Sequence, residues 1–233
     1  YFVSFGLFRT TSNIKEFAIR TSILLLLLSN LLFSTGRAGF LMLIVLFSAL
    51  IFQTSRNIRT SIIKLLIIVP LSTLAAYSIS DTVKNRVDGG LNDIQTFTEN
   101  PNTSVGLRMV FAIHSFDIFL KNPVFGVGTG DLKNEYEKIK RTVYEKTITP
   151  NNPHNQYLMI ASTLGLLGLL AMFLIFFTAF KFCDSRGKAM ILGFIAICFV
   201  ESYLWRANTS LTFIFFISVL SQRRSFLFSS TIK

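Results

Sequence analysis

The sequence is poor in charge. Charged residues make up only 15% of the 233 residues, against about 25% in soluble globular proteins. Hydrophobic residues make up 51%, and 25 of the residues are phenylalanine. So few charges cannot cover the hydrated surface of a soluble protein. The composition therefore predicts that most of the chain faces lipid.

Several signatures of common enzymes are also absent. The two cysteines, Cys183 and Cys198, lie in or beside apolar segments, so they give no disulfide framework and no zinc spacing. There is no Walker loop, HExxH, GxSxG or Asp-x-Asp pair. Nucleotide-sugar transferases usually hold a metal with such carboxylates. We therefore expect no metal and no other cofactor, and any phosphate chemistry must use arginine.

The net charge of +11 is unevenly distributed. Residues 81–155 contain nine Lys/Arg and nine Asp/Glu, so the whole excess lies in short basic clusters between apolar runs. This pattern is typical of cytoplasmic loops that follow the positive-inside rule. It argues for a lipid bilayer as partner and against nucleic acid.

Six apolar stretches are candidates for membrane spans, which need roughly 20 residues each. A single helix over 17–53 would be about 55 Å long, so a tight turn at 34–37 must divide it. The predicted spans are residues 17–34, 38–53, 62–79, 156–180, 189–203 and 210–220.

This count fixes the predicted organisation. With six spans, all four basic clusters fall on one side of the membrane. We expect membrane helices over 1–80 with an outer turn at 34–37, an outer loop over 81–155, membrane helices over 156–222 and a cytoplasmic tail over 223–233. Because the chain begins with Tyr1 rather than Met, we also expect a fragment that lacks its natural start.

The outer loop is predicted to contain two helices. The first covers 104–120, capped by Thr103 or Ser104 and ended by Asn122-Pro123. The second covers 131–146, where Glu137 and Arg141 form an i,i+4 pair. Its narrow apolar stripe consists of Leu132, Tyr136, Ile139 and Val143.

Two arginines are candidates for phosphate binding, because a guanidinium group binds phosphate through two parallel hydrogen bonds. Arg37 lies among small residues in the turn between two apolar helices. Arg108 lies in the first turns of the predicted loop helix. The alternatives stay open: Arg37 as an interfacial arginine that reaches the headgroups, and Arg108 as an outward salt-bridge partner.

His154 is the candidate base, because an imidazole titrates near neutral pH. It lies at the outer end of the fourth span, and Asn155 beside it can fix a neighbouring group by hydrogen bonding. His114, inside the loop helix, is interpreted as structural. Glu201 and Arg206 are interpreted as a structural ion pair that can also orient other site groups.

The glycine-rich run F-G-V-G-T-G-D, residues 125–131, has two interpretations. Glycines ahead of a helix can cradle phosphate through backbone N–H groups. The alternative is a flexible turn in which Asp131 caps the next helix.

In this order, these motifs resemble the O-antigen ligase / O-antigen polymerase superfamily. The resemblance covers roughly residues 30–180. It rests on the S-T-G-R-A-G turn at 34–39, Arg108, the N-P-V-F-G-V-G-T-G run at 122–130, and H-N-x-x-L at 154–158 with Gly165 seven residues further on.

The resemblance implies a polytopic inner-membrane glycosyltransferase with a GT-C-like helical bundle and a large helical periplasmic loop. Members of the family usually have more N-terminal membrane helices, so the resemblance also implies a fragment that lacks them. A ligase moves a polysaccharide from undecaprenyl pyrophosphate to the lipid A core on the periplasmic face, inverting the anomeric centre without a metal. By resemblance, His154 is the catalytic base, and Arg37, Arg108, Asn155 and Gly128 bind substrate.

Other activities fit the same motifs. An O-antigen polymerase joins lipid-linked repeat units, and a protein O-oligosaccharyltransferase uses a protein hydroxyl. We favour the ligase because the H-N-x-x-L motif is closest to the ligase form. A polysaccharide transporter is less favoured, because its charges are expected near mid-membrane in two related halves.

Overall fold

The computed structural model describes residues 14–33, 37–140 and 144–221. Within these ranges the chain is all-helical and has no β-strand, as predicted. A short 3-10 helix, Tyr203–Trp205, precedes the last α-helix. The α-helices are α1 (Ile14–Phe33), α2 (Arg37–Thr54), α3 (Ile58–Ile79), α4 (Asp81–Gln95), α5 (Ser104–Lys121), α6 (Leu132–Lys140), α7 (Gln156–Phe182), α8 (Ser185–Ile197) and α9 (Ala207–Leu220).

Two of these helices, α3 and α7, are long and apolar enough to cross a membrane by length and composition. Residues Ala38–Thr54 of α2 and all of α9 are shorter apolar helices. Many large apolar side chains on these helices are exposed, which fits a protein that faces lipid. The prediction of an all-helical membrane protein agrees with this architecture.

Segment 81–155 contains three helices, not the two predicted. The additional helix, α4, begins at the cap residue Ser80, whose side chain accepts a hydrogen bond from the Val83 N–H. We missed it because Gly89 and Gly90 in its interior are typical of a loop. The predicted helix α5 and its Thr103 cap are confirmed, since the Thr103 hydroxyl accepts from the Gly106 N–H.

Two predicted helix boundaries are wrong. The predicted helix over 131–146 is α6, and residues 144–146 are not helical, because Tyr144 has a left-handed φ of 58°. Its stripe residues Leu132, Tyr136 and Ile139 are buried. The span predicted over 189–203 is α8, which ends at Ile197, so Glu201 lies beyond it. Val143, Arg141 and the turn at 34–36 lie outside the described residues.

Helix α7 is broken, whereas we predicted one continuous span. Gly165 has φ 65° and ψ −158°, which no helix contains. The ring centroids of Tyr157 and Phe173 are 5.9 Å apart, although 16 residues of straight helix would cover about 24 Å. The arms 156–164 and 166–182 therefore fold back against each other.

The glycine-rich turn caps both ends of this break. The N–H groups of Val127 and Gly128 donate to the carbonyls of Ser162 and Thr163, both at 2.9 Å. In return, the N–H groups of Leu166 and Leu167 donate to the carbonyls of residues 123 and 124, at 2.8 and 3.4 Å. Backbone groups freed by the break are thus paired again, as an apolar environment requires.

Helix α2 packs antiparallel along α8. Near one end, the Gln53 side chain donates to the Ser185 carbonyl at 2.7 Å. Further along, Met42 fills the space over Gly193, where an added Cβ would lie 2.4 Å from the Met42 sulfur. This register brings Arg37, the first residue of α2, to the level at which α8 ends.

Candidate functional site

His154 lies immediately before α7 in a strained backbone conformation. Its φ is 52°, in the left-handed region, which is unfavourable for residues other than glycine. Its N–H donates to the Asn152 side chain at 2.9 Å, which closes a tight turn. The imidazole ring also stacks on Phe111 of α5, with centroids 6.2 Å apart and an interplanar angle of 21°. The turn and the stacking fix the direction of the ring.

The partner of His154 is Glu201. The Nδ1 atom of His154 lies 3.0 Å from each carboxylate oxygen of Glu201. Because an ionised carboxylate can only accept, Nδ1 carries the proton and Nε2 is the unprotonated nitrogen of the neutral imidazole. The same carboxylate accepts from the Ser202 N–H at 3.0 Å and pairs with Arg206 at 3.2 Å.

These contacts keep Glu201 ionised. Burial raises the pKa of the Glu201 carboxyl, because its side chain is only 11% exposed. The hydrogen bonds from His154 and Ser202, together with the electrostatic attraction of His154 and Arg206, outweigh burial. The net result is a pKa below the ordinary glutamate value, so the carboxylate is charged at neutral pH.

Three consecutive residues tie the start of α7 to the segment 198–206. His154 contacts Glu201, and the Asn155 Nδ2 atom donates to the Phe199 carbonyl at 3.0 Å. The buried Gln156 side-chain oxygen accepts from the N–H groups of Leu204 and Trp205 at 2.9 and 3.2 Å. We call this set of contacts the 154–156 clamp.

Arg108 and His154 share one cleft of about 210 Å³ between α5 and the start of α7. No ion pair within the described ranges includes Arg108. Its positive charge nevertheless acts on Tyr203 in the segment 198–206. Burial and the Glu201 charge raise the pKa of Tyr203, and the guanidinium groups of Arg206 and Arg108 oppose this. The lining residues are Val105, Arg108, Met109, Ala112, Pro153, His154, Asn155, Phe199 and Val200.

The other predicted site residues have different positions. The Asn155 side chain lines the cleft, but its oxygen caps α7 by accepting from the Leu158 N–H at 3.0 Å. Gly128 is not among the cleft residues, and the N–H predicted to bind phosphate donates to Thr163 instead. The side chain of Arg37 lies outside the described residues. His114 is buried beside Tyr136 and Tyr144, as a structural residue would be.

Sequence reasoning undervalued Glu201 and missed Gln156. Glu201 was interpreted mainly as half of an ion pair with Arg206, which the structure contains. A carboxylate next to an apolar helix costs free energy unless it has a function or a partner. The position of Glu201 beside an apolar segment was therefore already a sign of a function or a partner. Among the described residues, no group of three or more His, Cys, Asp or Glu side chains could hold a metal ion.

The fold and the cleft together define a class: a helical membrane protein whose cleft carries a carboxylate-bound histidine and an arginine suited to an anionic substrate. The family model of O-antigen ligase matches residues 22–173, more than half of the chain, and the chain belongs to this family. It is a glycosyltransferase-like enzyme of O-antigen synthesis, of the ligase or polymerase type, acting on lipid-linked glycans in a membrane. No curated protein matches the chain.

Proposed function

We propose that this protein is an O-antigen ligase that transfers a polysaccharide from undecaprenyl pyrophosphate to the lipid A core. The observation that carries this proposal is that Arg108 lines the same cleft as a histidine fixed by a carboxylate. The reaction needs a base for the acceptor hydroxyl and a positive charge for the leaving pyrophosphate. The cleft offers one of each.

His154 is the base in this mechanism. Its Nε2 atom takes the proton of the acceptor hydroxyl as the hydroxyl oxygen attacks the anomeric carbon of the donor sugar. The bond between that carbon and the pyrophosphate oxygen breaks, and the anomeric centre is inverted. Glu201, 3.0 Å from Nδ1, stabilises the imidazolium that forms.

Arg108 binds the donor pyrophosphate and stabilises the negative charge that develops on it. We propose the same role for Arg37. The register of α2 along α8 supports this, because α2 begins at the level where α8 ends and the segment 198–206 starts. Two guanidinium groups neutralise a pyrophosphate without a metal.

For the remaining predicted residues we propose positioning roles. Asn155 caps α7 and binds the Phe199 carbonyl, so it holds one wall of the cleft. Gly128 binds the broken end of α7 and acts on substrate only through the position of that helix.

The proposed location is the bacterial inner membrane, crossed several times, with the cleft on the periplasmic face. The contact between Gln53 and Ser185 supports this orientation. It brings together the ends of α2 and α8 that carry basic residues, and these lie far from His154. By the positive-inside rule this basic end is cytoplasmic. Its basic residues are Arg56, Arg59, Lys64, Lys181, Arg186 and Lys188.

The experiment that tests the proposal compares surface glycolipids from cells that lack the gene with those from complemented cells. For a ligase, the deletion removes long chains from the lipid A core, and polymer accumulates on undecaprenyl pyrophosphate. Caps of one repeat unit on the core would instead identify a polymerase. Unchanged glycolipid would contradict both activities and direct attention to a protein acceptor or to transport.

A further inference from the structure

We propose that α5 lies in the plane of the bilayer surface and that lipid covers its outer side. The family resemblance implies a loop outside the membrane for this helix, whereas a lipid-covered helix makes part of that loop a membrane-bound element. The position of α5 does not depend on which acceptor the enzyme uses. The surface concerned, which we call the α5 stripe, consists of Ile113, Phe116 and Leu120.

The α5 stripe is an exposed apolar surface that is separate from the cleft. Its residues are spaced by three and four positions, so they fall on one side of an α-helix. Ile113 is 40% exposed, Phe116 51% and Leu120 58%, and none of them lines the cleft. Another side of α5 carries Phe111 and Ile118, which are buried. A helix that is hydrophobic on its exposed and its buried sides is typical of a protein core or a membrane, so the stripe requires a cover.

Helix α6 lies in the same segment and has an outer side of the opposite character. Its Tyr136 side chain is buried, and its exposed residues include Lys133, Glu137 and Lys138. This is the usual pattern of a helix that faces water. The Tyr136 hydroxyl is hydrogen-bonded to the Ser115 hydroxyl of α5. Helix α6 therefore covers the buried side of α5 and leaves the stripe open.

The stripe continues into a surface that faces lipid. Val124 and Phe125, in the turn that follows α5, are 49% and 75% exposed. This turn is bound to α7, since the Leu166 N–H donates to the Pro123 carbonyl at 2.8 Å. Helix α7 is long and apolar enough to cross a membrane, and Leu166 and Leu167 beside the turn are exposed. The lipid that covers α7 therefore also reaches the turn and the end of α5.

The length of α7 gives the level of this turn. The arm 166–182 is about 25 Å long, and the hydrocarbon core of a bilayer is about 30 Å thick. Lys181 lies in the last turn of the arm, which places that end at one boundary of the core. The other end, where the turn docks, then lies close to the opposite boundary. The end of α5 is therefore held at the outer surface of the bilayer.

The start of α5 is held at the outer end of another apolar helix. The Asp93 carboxylate of α4 accepts from the Val105 N–H at 3.0 Å. Helix α4 begins where α3 ends, and its Asp88 accepts from the Tyr77 hydroxyl of α3 at 2.8 Å. In one continuous helix, residues 77 and 88 would be about 16 Å apart along the axis, so α4 turns away from the direction of α3. With both ends held at the outer ends of apolar helices, α5 runs along the membrane surface.

The charged residues of α5 limit its depth. Asp117 is half-buried near the stripe, and Lys121 is exposed at the end of the helix. Both residue types are costly in hydrocarbon, so α5 lies at the level of the headgroups, where a lysine side chain reaches water. A helix in this position places one apolar side among the acyl chains and keeps its charges in the interface.

Tryptophan fluorescence tests what covers the stripe, because the sequence contains one tryptophan. Phe116→Trp is placed in a Trp205→Phe background, so that the stripe carries the only tryptophan. The full chain is reconstituted in phosphatidylcholine vesicles with or without bromine near the headgroup end of the acyl chains, and acrylamide is the quencher in the water. Two references use the same background: Phe177→Trp for lipid, since Phe177 is 66% exposed on α7, and Lys138→Trp for water, since the Lys138 side chain is 68% exposed.

We expect Phe116→Trp to respond like Phe177→Trp, losing most of its emission to bromine and little to acrylamide. Quenching by acrylamide as strong as in Lys138→Trp, without quenching by bromine, would show that water covers the stripe and would overturn the proposal. Quenching by neither agent would show that a protein partner or a second copy covers it, which also overturns the proposal. Phe125→Trp is a second probe with the same expected results, in case Phe116→Trp does not accumulate. None of these measurements requires activity.

Discussion

The Nδ1 atom of His154 lies 3.0 Å from both carboxylate oxygens of Glu201, a residue 47 positions further along the chain. This contact leaves Nε2 as the nitrogen that can accept a proton. It also places a negative charge where the imidazolium of the proposed mechanism would form. The two residues therefore act together, as the base and the carboxylate that supports it.

Glu201→Gln should lower kcat by about 10²-fold or more, because the amide keeps the shape of the side chain but not its charge. The lowered pKa of Glu201 means that the wild-type carboxylate is ionised throughout the neutral range. Loss of that charge removes the stabilisation of the imidazolium that forms when His154 takes the proton. The effect should therefore appear in kcat, with KM for the donor near the wild-type value.

Glu201→Asp is the matched control, since it keeps the charge on a shorter side chain and should retain part of the activity. Equal losses of kcat in Glu201→Gln and Glu201→Asp, matched by equal losses of Tm, would show that Glu201 only supports the loop.

Much of this site was predictable from local sequence, and the rest depends on distant partners. Helix α5 was predicted because its cap, Thr103, and its Asn122-Pro123 stop lie next to it. His154 and Arg108 were identified from their motifs. The break at Gly165 was not predicted, because the groups that make it stable belong to a turn some 40 residues earlier. The length and hydrophobicity of α7 alone indicate one straight span.

His154→Ala and Arg108→Ala should each leave the protein in the membrane and remove glycan transfer. Loss of a general base costs about 10²- to 10⁴-fold in rate. Loss of Arg108 removes a charge that stabilises the leaving group. Arg37→Ala is expected to behave in the same way. The measurement is polymer transfer in membranes at matched protein levels.

Arg86→Ala, in α4 and not among the residues that line the cleft, serves as a control for the simple loss of a positive charge, and it should transfer normally. Normal transfer by His154→Ala or Arg108→Ala would refute the corresponding role.

Gln156→Ala should loosen the segment 198–206. The Gln156 oxygen accepts from two backbone N–H groups, and its side chain is 2% exposed. Both contacts are part-buried, and each such hydrogen bond contributes about 0.5–1.5 kcal/mol to stability. We expect a lower Tm and weaker activity in detergent. Gln156→Glu keeps an acceptor and should be milder. If Gln156→Ala unfolds at the wild-type temperature, the clamp does not stabilise the fold.

Gly165→Ala should prevent the glycine-rich turn from docking against α7. A Cβ at residue 165 would lie 2.3 Å from the Val124 carbonyl oxygen and 2.7 Å from the Gly126 nitrogen, both backbone atoms that cannot move independently. The backbone at φ 65° and ψ −158° lies in a region that essentially only glycine adopts, which adds about 1–3 kcal/mol of strain for alanine. Without the turn, the carbonyls of Ser162 and Thr163 and the N–H groups of Leu166 and Leu167 lose their partners. We therefore expect poor accumulation in the membrane or a lower Tm, with transfer lost as a consequence.

Gly130→Ala is the matched control, because no atom lies within 4 Å of an added Cβ there, and it should resemble the wild type. Equal stability of the Gly165→Ala and Gly130→Ala proteins would mean that the broken helix does not depend on the turn that caps it.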